Sequence, residues 1–461
     1  MQYNDEEDKT CSNYLRKRLI RVELSCGHKM DKDCLIEYVL IGFLESKSYE
    51  YQYKCSMCHS NNKLKSLQLD CGCIEVEFNC RIKYKDEISD GKCEKDHFLT
   101  PTDICLVNDY LSFKQTSQAI DYHTRDKRHN TLLEKYEKTL ARKDIKSIAW
   151  TLMFTNISVR LKLEKTIESE GAMILSEALK KNTTLIILDI QGSSICNEGA
   201  KVISELLKCN TALTQLNLEH NNIEYEGIQA IFSALKVNKV LKYLSIGSNR
   251  IAHTKDIGKA LNINKTLIYL NLSRGNIMNA KELCKAIKMN TVLEELYLGI
   301  NHLGADDAKL ISDSLEFNKA LKVLDLQNNN IGDEGIKAIS KALKVNKMLK
   351  KLDLGGMEAI GKNLENLSEM LKVNKTLTDL CLDYCRIRDV NIIAEALKCN
   401  TTLVELRLMS NEIMNVGIVI EMLARNGALG LLDLRCNEIT EKDKAILEGA
   451  YKRNKYVNIH Y

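Results

Sequence analysis

Asparagines at 182, 210, 238, 264, 290, 318, 346, 374, 400, 426 and 454 recur every 28 or 26 residues. Each of the first ten opens the same phrase: Asn, two residues, Leu, two residues, Leu, one residue, then Leu or Ile. The clearest copy runs Leu213, Leu216, Leu218, Asn221, Ile223, Gly227, Ile231, Leu235. Its counterpart runs Leu321, Leu324, Leu326, Asn329, Ile331, Gly335, Ile339, Leu343. A unit this small cannot bury its apolar face alone, so such a period specifies a stack of repeats rather than one globular core.

The spacing of apolar residues changes within each unit. Leu216 and Leu218 are two apart and share one face of a short strand, whereas Ile228, Ile231, Phe232 and Leu235 follow helical spacing. Strand, helix and the next strand at this period predict an α/β fold, a solenoid with a parallel sheet inside and helices outside. Residues 157–461 form the solenoid with its caps. Residues 441–453 read as a closing helix and Val457–Ile459 as a closing strand. At the other end, Ile157–Leu163 and Gly171–Leu179 read as an irregular first unit, and 111–156 as a helical linker or cap that includes the apolar face of Thr131–Arg142. Four units (238–264, 264–290, 374–400 and 400–426) are two residues shorter, which predicts shorter helices.

A second asparagine column (Asn221, Asn249, Asn301, Asn329, Asn411, Asn437) falls where the chain leaves the strand, with Ser193 and Cys385 in the same place in two other units. A carboxamide has donors and an acceptor to satisfy the backbone of such a bend. The unit 346–374 reads Leu352-Asp353-Leu354-Gly355-Gly356-Met357 and lacks this asparagine, making it the expected soft spot. Together these residues resemble the ribonuclease-inhibitor class of leucine-rich repeats, also found in NOD-like receptors and Ran GTPase-activating proteins. The resemblance implies protein binding on the concave face and the strand-to-helix loops. It does not imply one activity, because the fold serves many partners.

Side chains alternate along a strand, so those not in the core form the inner surface. The middle position of successive strands gives Asp189, Asn217, Ser245, Asn271, Tyr297, Asp325, Asp353, Cys381, Arg407 and Asp433. Two positions earlier stand Tyr243, Tyr269, Glu295, Asp379 and Glu405 among others. Tyr243, Tyr269 and Tyr297 fall on three adjacent strands, a pattern suited to an interaction hot spot. Carboxylates outnumber bases, with Asp325 and Asp353 at the centre, so the expected partner is a protein surface bearing Lys or Arg. No arrangement of nucleophile, base and oxyanion donors appears in the repeats, and no active site is expected there.

The first ~110 residues are a separate, cysteine-rich head. Ten of the 17 cysteines precede residue 106. The odd total and the acidic start without a signal-peptide pattern point to a reducing compartment, the cytosol or the nucleus. Net charge is only +4, so nucleic acid is not an expected partner, and no apolar run approaches the ~18 residues of a membrane span, so neither is a membrane. Cys26, His28, Cys55 and Cys58 supply four thiolate and imidazole ligands as two close pairs, the set a tetrahedral zinc site requires. Cys71 and Cys73, with Cys80, Cys93, His97 and Cys105, are further candidate ligands. The head resembles a RING finger over about 50 residues. By that resemblance Cys26, His28, Cys55 and Cys58 form the complete second zinc site, and Asp31 with Cys34 forms half of the first. The departures are an upstream C-x-x-C reduced to Cys11, and Ser56 in place of the usual proline.

Three functions fit these features. One is a ubiquitin ligase or adaptor, whose head meets a ubiquitin-conjugating enzyme while the solenoid selects the substrate. Another is a non-enzymatic scaffold or receptor with a structural zinc head. The third is a GTPase-activating protein using an arginine on the solenoid edge, for which Arg250 and Arg274 are the candidates.

Overall fold

The computed structural model describes residues 19–24, 53–54, 61–62, 64–69, 74–77, 81–84, 145–154, 160–163, 166–357, 360, 364–453 and 457–461. The chain divides into two compact units: residues 1–162 with 177–185, and residues 163–176 with 186–461.

In the first unit, strands Leu19–Leu24, Leu64–Leu69, Ile74–Glu77 and Arg81–Tyr84 form an antiparallel sheet in that order. Tyr53–Lys54 pairs with Asn61–Asn62 in a separate antiparallel ladder, which brackets Cys55 and Cys58 in sequence. Helix Ile145–Phe154 and strand Arg160–Lys162 follow.

The second unit is the repeat array. Three-residue strands from Ile187–Asp189 to Asn458–His460 pair in parallel with their sequence neighbours, and the register never slips. Leu216, Leu244, Leu270, Leu296, Leu324, Leu352, Leu380, Leu406 and Leu432 stack as the central core row, each no more than 2% exposed. Each strand passes to a helix whose apolar stripe closes over that row. In helix Gly332–Val345, Ile336, Ile339 and Leu343 are wholly buried. Adjacent helices approach closely: a Cβ added at Gly335 would lie 2.8 Å from the Ala308 Cβ.

The short units do contain the short helices. Lys255–Ile263, Lys281–Met289 and Gly417–Arg425 have 9 residues and Asn391–Leu397 has 7, against 14 for Cys196–Cys209 and Gly332–Val345. The closing helix Glu441–Arg453 and closing strand Asn458–His460 fall within one residue of expectation. In the unit 346–374, Met357 occupies the missing asparagine's place and is buried at 3% exposure. Gly356 beside it has φ 71°, and a Cβ there would sit 2.1 Å from Asn328 Oδ1. The segments 358–359 and 361–363 that follow lie outside the described residues.

The helix-to-strand asparagines are buried, as are Asn221, Asn249, Asn301 and Asn411 at the strand exit, where Asn329 and Asn437 are half-buried, and each column carries a defined set of hydrogen bonds. At the helix-to-strand turn, Asn318 Nδ2 donates to the Ile287 carbonyl of the preceding unit at 2.7 Å. Its Oδ1 accepts the N–H groups of Ala320 at 2.9 Å and Leu321 at 2.7 Å. At the strand exit, Asn249 Oδ1 accepts N–H groups of the preceding unit, Asn221 at 3.0 Å and Ile223 at 2.9 Å. Its Nδ2 donates to the Leu218 carbonyl at 2.9 Å. Backbone groups that would otherwise be stranded in the core are thus tied from unit to unit.

Candidate protein-binding face

The parallel register places the tyrosines together. Tyr243 lies opposite Tyr269, and Tyr297 lies one strand further, two residues along. Their ring centroids are 5.9 Å apart for Tyr243–Tyr269 and 5.1 Å for Tyr269–Tyr297, with the planes tilted by 39° and 41°. All three are half-buried, so each keeps part of its surface open to solvent while its neighbours pack against it. Tyr297 Oη donates to Glu295 Oε2 at 2.9 Å. Burial pushes the Tyr269 and Tyr297 phenols up, with the Glu219 charge adding at Tyr269 and the Glu295 hydrogen bond at Tyr297. Both therefore remain protonated hydrogen-bond donors at neutral pH.

Glu219 is the polar counterpart of this row. It accepts hydrogen bonds from Ser245 Oγ and, at 2.7 Å, from Asn271 Nδ2, bridging three strands. Asp353 is half-buried on the inner face, beside Cys381 and Asp383. Asp325 is only 6% exposed, and burial raises its carboxyl to about 6, with the Asp353 charge adding to the rise. The Cys381 thiol is pushed up by burial and by the Asp353 charge, the opposite of an activated thiolate.

A structural duty of the middle strand position is not legible in the alternation pattern. Asp189, Asn217, Asn271, Asp325, Asp353 and Asp433 each accept the N–H two residues on, at 2.8–3.2 Å. Their side chains fold back to cap the strand exit, as short Asx side chains do in turns. Asp and Asn recurring at that register were the available signal.

Bases neutralise the C-terminal strands further. Lys351 pairs with Asp379 at 2.9 Å, Arg407 with Glu405 at 2.5 Å, and Arg435 with the 3%-exposed Asp433 at 2.5 Å. Apart from Asp189 on the first strand of the array, the inner-face carboxylates without a basic partner among the described residues are Glu219, Glu295, Asp325, Asp353 and Asp383, around the tyrosines and just beyond them. The expected excess of acid over base on the inner face is therefore smaller than the residue types imply.

Of the edge arginines, Arg250 is tied to Glu224 at 2.6 Å, and Arg274 is exposed on the strand-exit turn with φ 55°. The candidate zinc ligands Cys26, His28, Asp31, Cys34, Cys55, Cys58, Cys71 and Cys73 lie outside the described residues. No described helix is long and apolar enough to cross a membrane.

A model of the leucine-rich repeat family matches residues 209–232, 317–340 and 399–419, each spanning a helix-to-strand turn and the strand that follows. The array thus contains leucine-rich repeats, and its remaining units keep the register of the matched ones. Proteins of this class serve protein–protein interaction. No curated protein matches the sequence. Among solved structures, an internalin from Listeria monocytogenes is 17% identical over 71% of this chain and 87% of its own, with a TM-score of 0.40. The complex of Rad7 and Elc1 in yeast contains a chain 16% identical over 79% of this one and 98% of its own, at 0.41. Leiomodin-1 actin-binding site 2 is 27% identical over 28% of this chain and 76% of its own, at 0.25.

Proposed function

We propose that the inner sheet of the repeat array binds a protein segment bearing Lys or Arg, anchored on Tyr243, Tyr269 and Tyr297. The contiguous tyrosine row carries this reading, because three half-buried aromatics offer large contact area at little cost in side-chain entropy. The carboxylates around it raise the local concentration of a basic ligand and speed its encounter. Because Asp325 is buried and caps the Gln327 N–H, the electrostatic weight shifts to Asp353, Glu219 and Glu295. The test is affinity capture with the full chain, followed by association kinetics with Asp353→Asn. That variant keeps an acceptor for the Gly355 N–H and removes only the charge. Association should slow about two- to tenfold, with a shallower salt dependence. An unchanged rate in the folded variant would remove the electrostatic part of the proposal.

The cysteine-rich head completes this reading. Cys26, His28, Cys55 and Cys58 would hold zinc, and the head would engage a ubiquitin-conjugating enzyme while the solenoid selects the substrate. The C-x-H and C-x-x-C spacing supports zinc, and the resemblance to a RING finger supports the enzyme partner. Metal analysis of the full chain and an autoubiquitination assay test the two parts separately. Metal without ubiquitin transfer would leave a scaffold with a structural head.

A further inference from the structure

The residue before each buried helix-to-strand asparagine is exposed, and in six consecutive units it is apolar. Val237 is 58% exposed, Ile263 56%, Met289 71%, Phe317 57%, Val345 56% and Val373 48%. The asparagines that follow them are 1–6% exposed. Each buried carboxamide grips the preceding unit, so it fixes its neighbours at the same point of every repeat. The result is a row of apolar side chains along the edge where helices end. A lysine lies against one member of the row: Lys288 Nζ is 4.0 Å from the centre of the Phe317 ring in the next unit.

Lysines border this row. Three units carry the identical tetrad Lys-Val-Asn-Lys, at 236–239, 344–347 and 372–375, and Lys265 and Lys319 follow the asparagines of two others. Among the described residues, Lys239, Lys319, Lys347 and Lys375 have no ion-pair partner. Lysines within the helices differ, since Lys201, Lys285 and Lys372 each meet a glutamate three residues earlier, at 2.7–2.8 Å. Lys372 of the third tetrad is thus neutralised, whereas the lysines that follow the asparagines have no ion-pair partner among the described residues.

From this placement we infer that the edge is a docking surface for an anionic lipid bilayer. Apolar tips flanked by cations are what a peripheral protein inserts at the boundary between headgroups and acyl chains. A second copy of the chain fits poorly, because its own lysines would oppose these. An acidic protein would match the charge, but it would need a shape keyed to six separate protrusions. A bilayer offers the same chemistry at every step, as the edge does. The row is assembled from residues 26 or 28 apart, so it leaves no apolar run in the sequence, and hydropathy excludes only a membrane span.

The test is co-sedimentation of the full chain with phosphatidylcholine vesicles, with and without about 30% phosphatidylserine. Binding should require the anionic lipid and weaken with salt. Met289→Glu with Phe317→Glu, at two exposed sites, should lower the partition coefficient about tenfold or more while the circular dichroism is unchanged. Lys319→Glu with Lys347→Glu should remove the preference for phosphatidylserine. Three results would overturn the inference: no binding to anionic vesicles, equal binding to neutral ones, or binding insensitive to both double variants. Capture of soluble polyglutamate in place of vesicles, with the same sensitivity to the variants, would reassign the edge to an acidic protein.

Discussion

Two columns of asparagine run through the array, one unbroken and one not. At the helix-to-strand turn the residue is asparagine in every unit from Asn182 to Asn426. At the strand exit, Ser193, Gly275, Met357 and Cys385 replace it in four units. The hydrogen bonds explain the contrast. At the strand exit the main chain can do part of the work: the Gly275 carbonyl accepts the N–H groups of Ile251 at 2.9 Å and Ala252 at 3.1 Å, and the Ser193 carbonyl accepts those of Ile167 and Glu168. Cys385 supplies its thiol as a donor to the Leu354 carbonyl at 3.5 Å. At the helix-to-strand turn, one side chain caps two N–H groups of its own unit while reaching back to a carbonyl of the unit before. In every unit from Asn238 to Asn426 a carboxamide makes all three bonds. Repetition of a residue therefore reports how replaceable its bonds are.

Breaking the unbroken column should cost the most. Asn318→Ala strands two N–H groups and a carbonyl in the core, and unfolding by denaturant should show a loss on the order of 3 kcal/mol. A loss below ~1 kcal/mol would mean that water or the main chain replaces the side chain, and the contrast between the columns would fail.

The middle strand position supplies the next test, with opposite sign. Asn217 and Asn271 cap their turns without charge, so the charge of the buried Asp325 is surplus to the same duty. Its folded-state value of about 6 lies above the ordinary carboxylate range, so the folded state binds the proton more tightly. Stability at this site then rises as pH falls through about 6 toward the ordinary carboxylate value of 3.8, and an ionised carboxylate is a liability at neutral pH. Asp325→Asn should stabilise the chain by roughly 1–3 kcal/mol at about pH 7. The gain should vanish near pH 4, where both chains are uncharged at this position. A pH-independent difference would argue against burial as the cause.

The smallest expected effect is at the tolerant column. Asn249→Ser, copying what the chain itself does at Ser193, should cost about 1 kcal/mol. A loss equal to that of Asn318→Ala would erase the distinction.

Much of this molecule was legible in the sequence because a repeat states its register many times over. The strand starts and centres follow from Leu216 and Leu218 and their counterparts, and so do the short helices of the short units and the meeting of Tyr243, Tyr269 and Tyr297. What alternation could not show was where a side chain on the inner face points. Asp433 and Asp325 share the register of Tyr297, yet both fold back onto the main chain, because a short carboxylate reaches the N–H two residues on and a tyrosine does not. The edge row of Val237 to Val373 was also invisible, since its members never adjoin in sequence. The head's zinc ligands rest on spacing alone.

The inner and edge surfaces of each unit differ in both charge and shape, and the central claim assigns the protein partner to the inner one. It is tested most directly by the dissociation rate of the captured partner from Tyr269→Ala, measured beside Lys319→Glu with Lys347→Glu on the edge. Tyr269 sits between two rings, and its truncation should speed dissociation about tenfold or more, while the edge variant should leave the rate unchanged. An unaltered rate in folded Tyr269→Ala, with faster dissociation in the edge variant, would contradict the assignment.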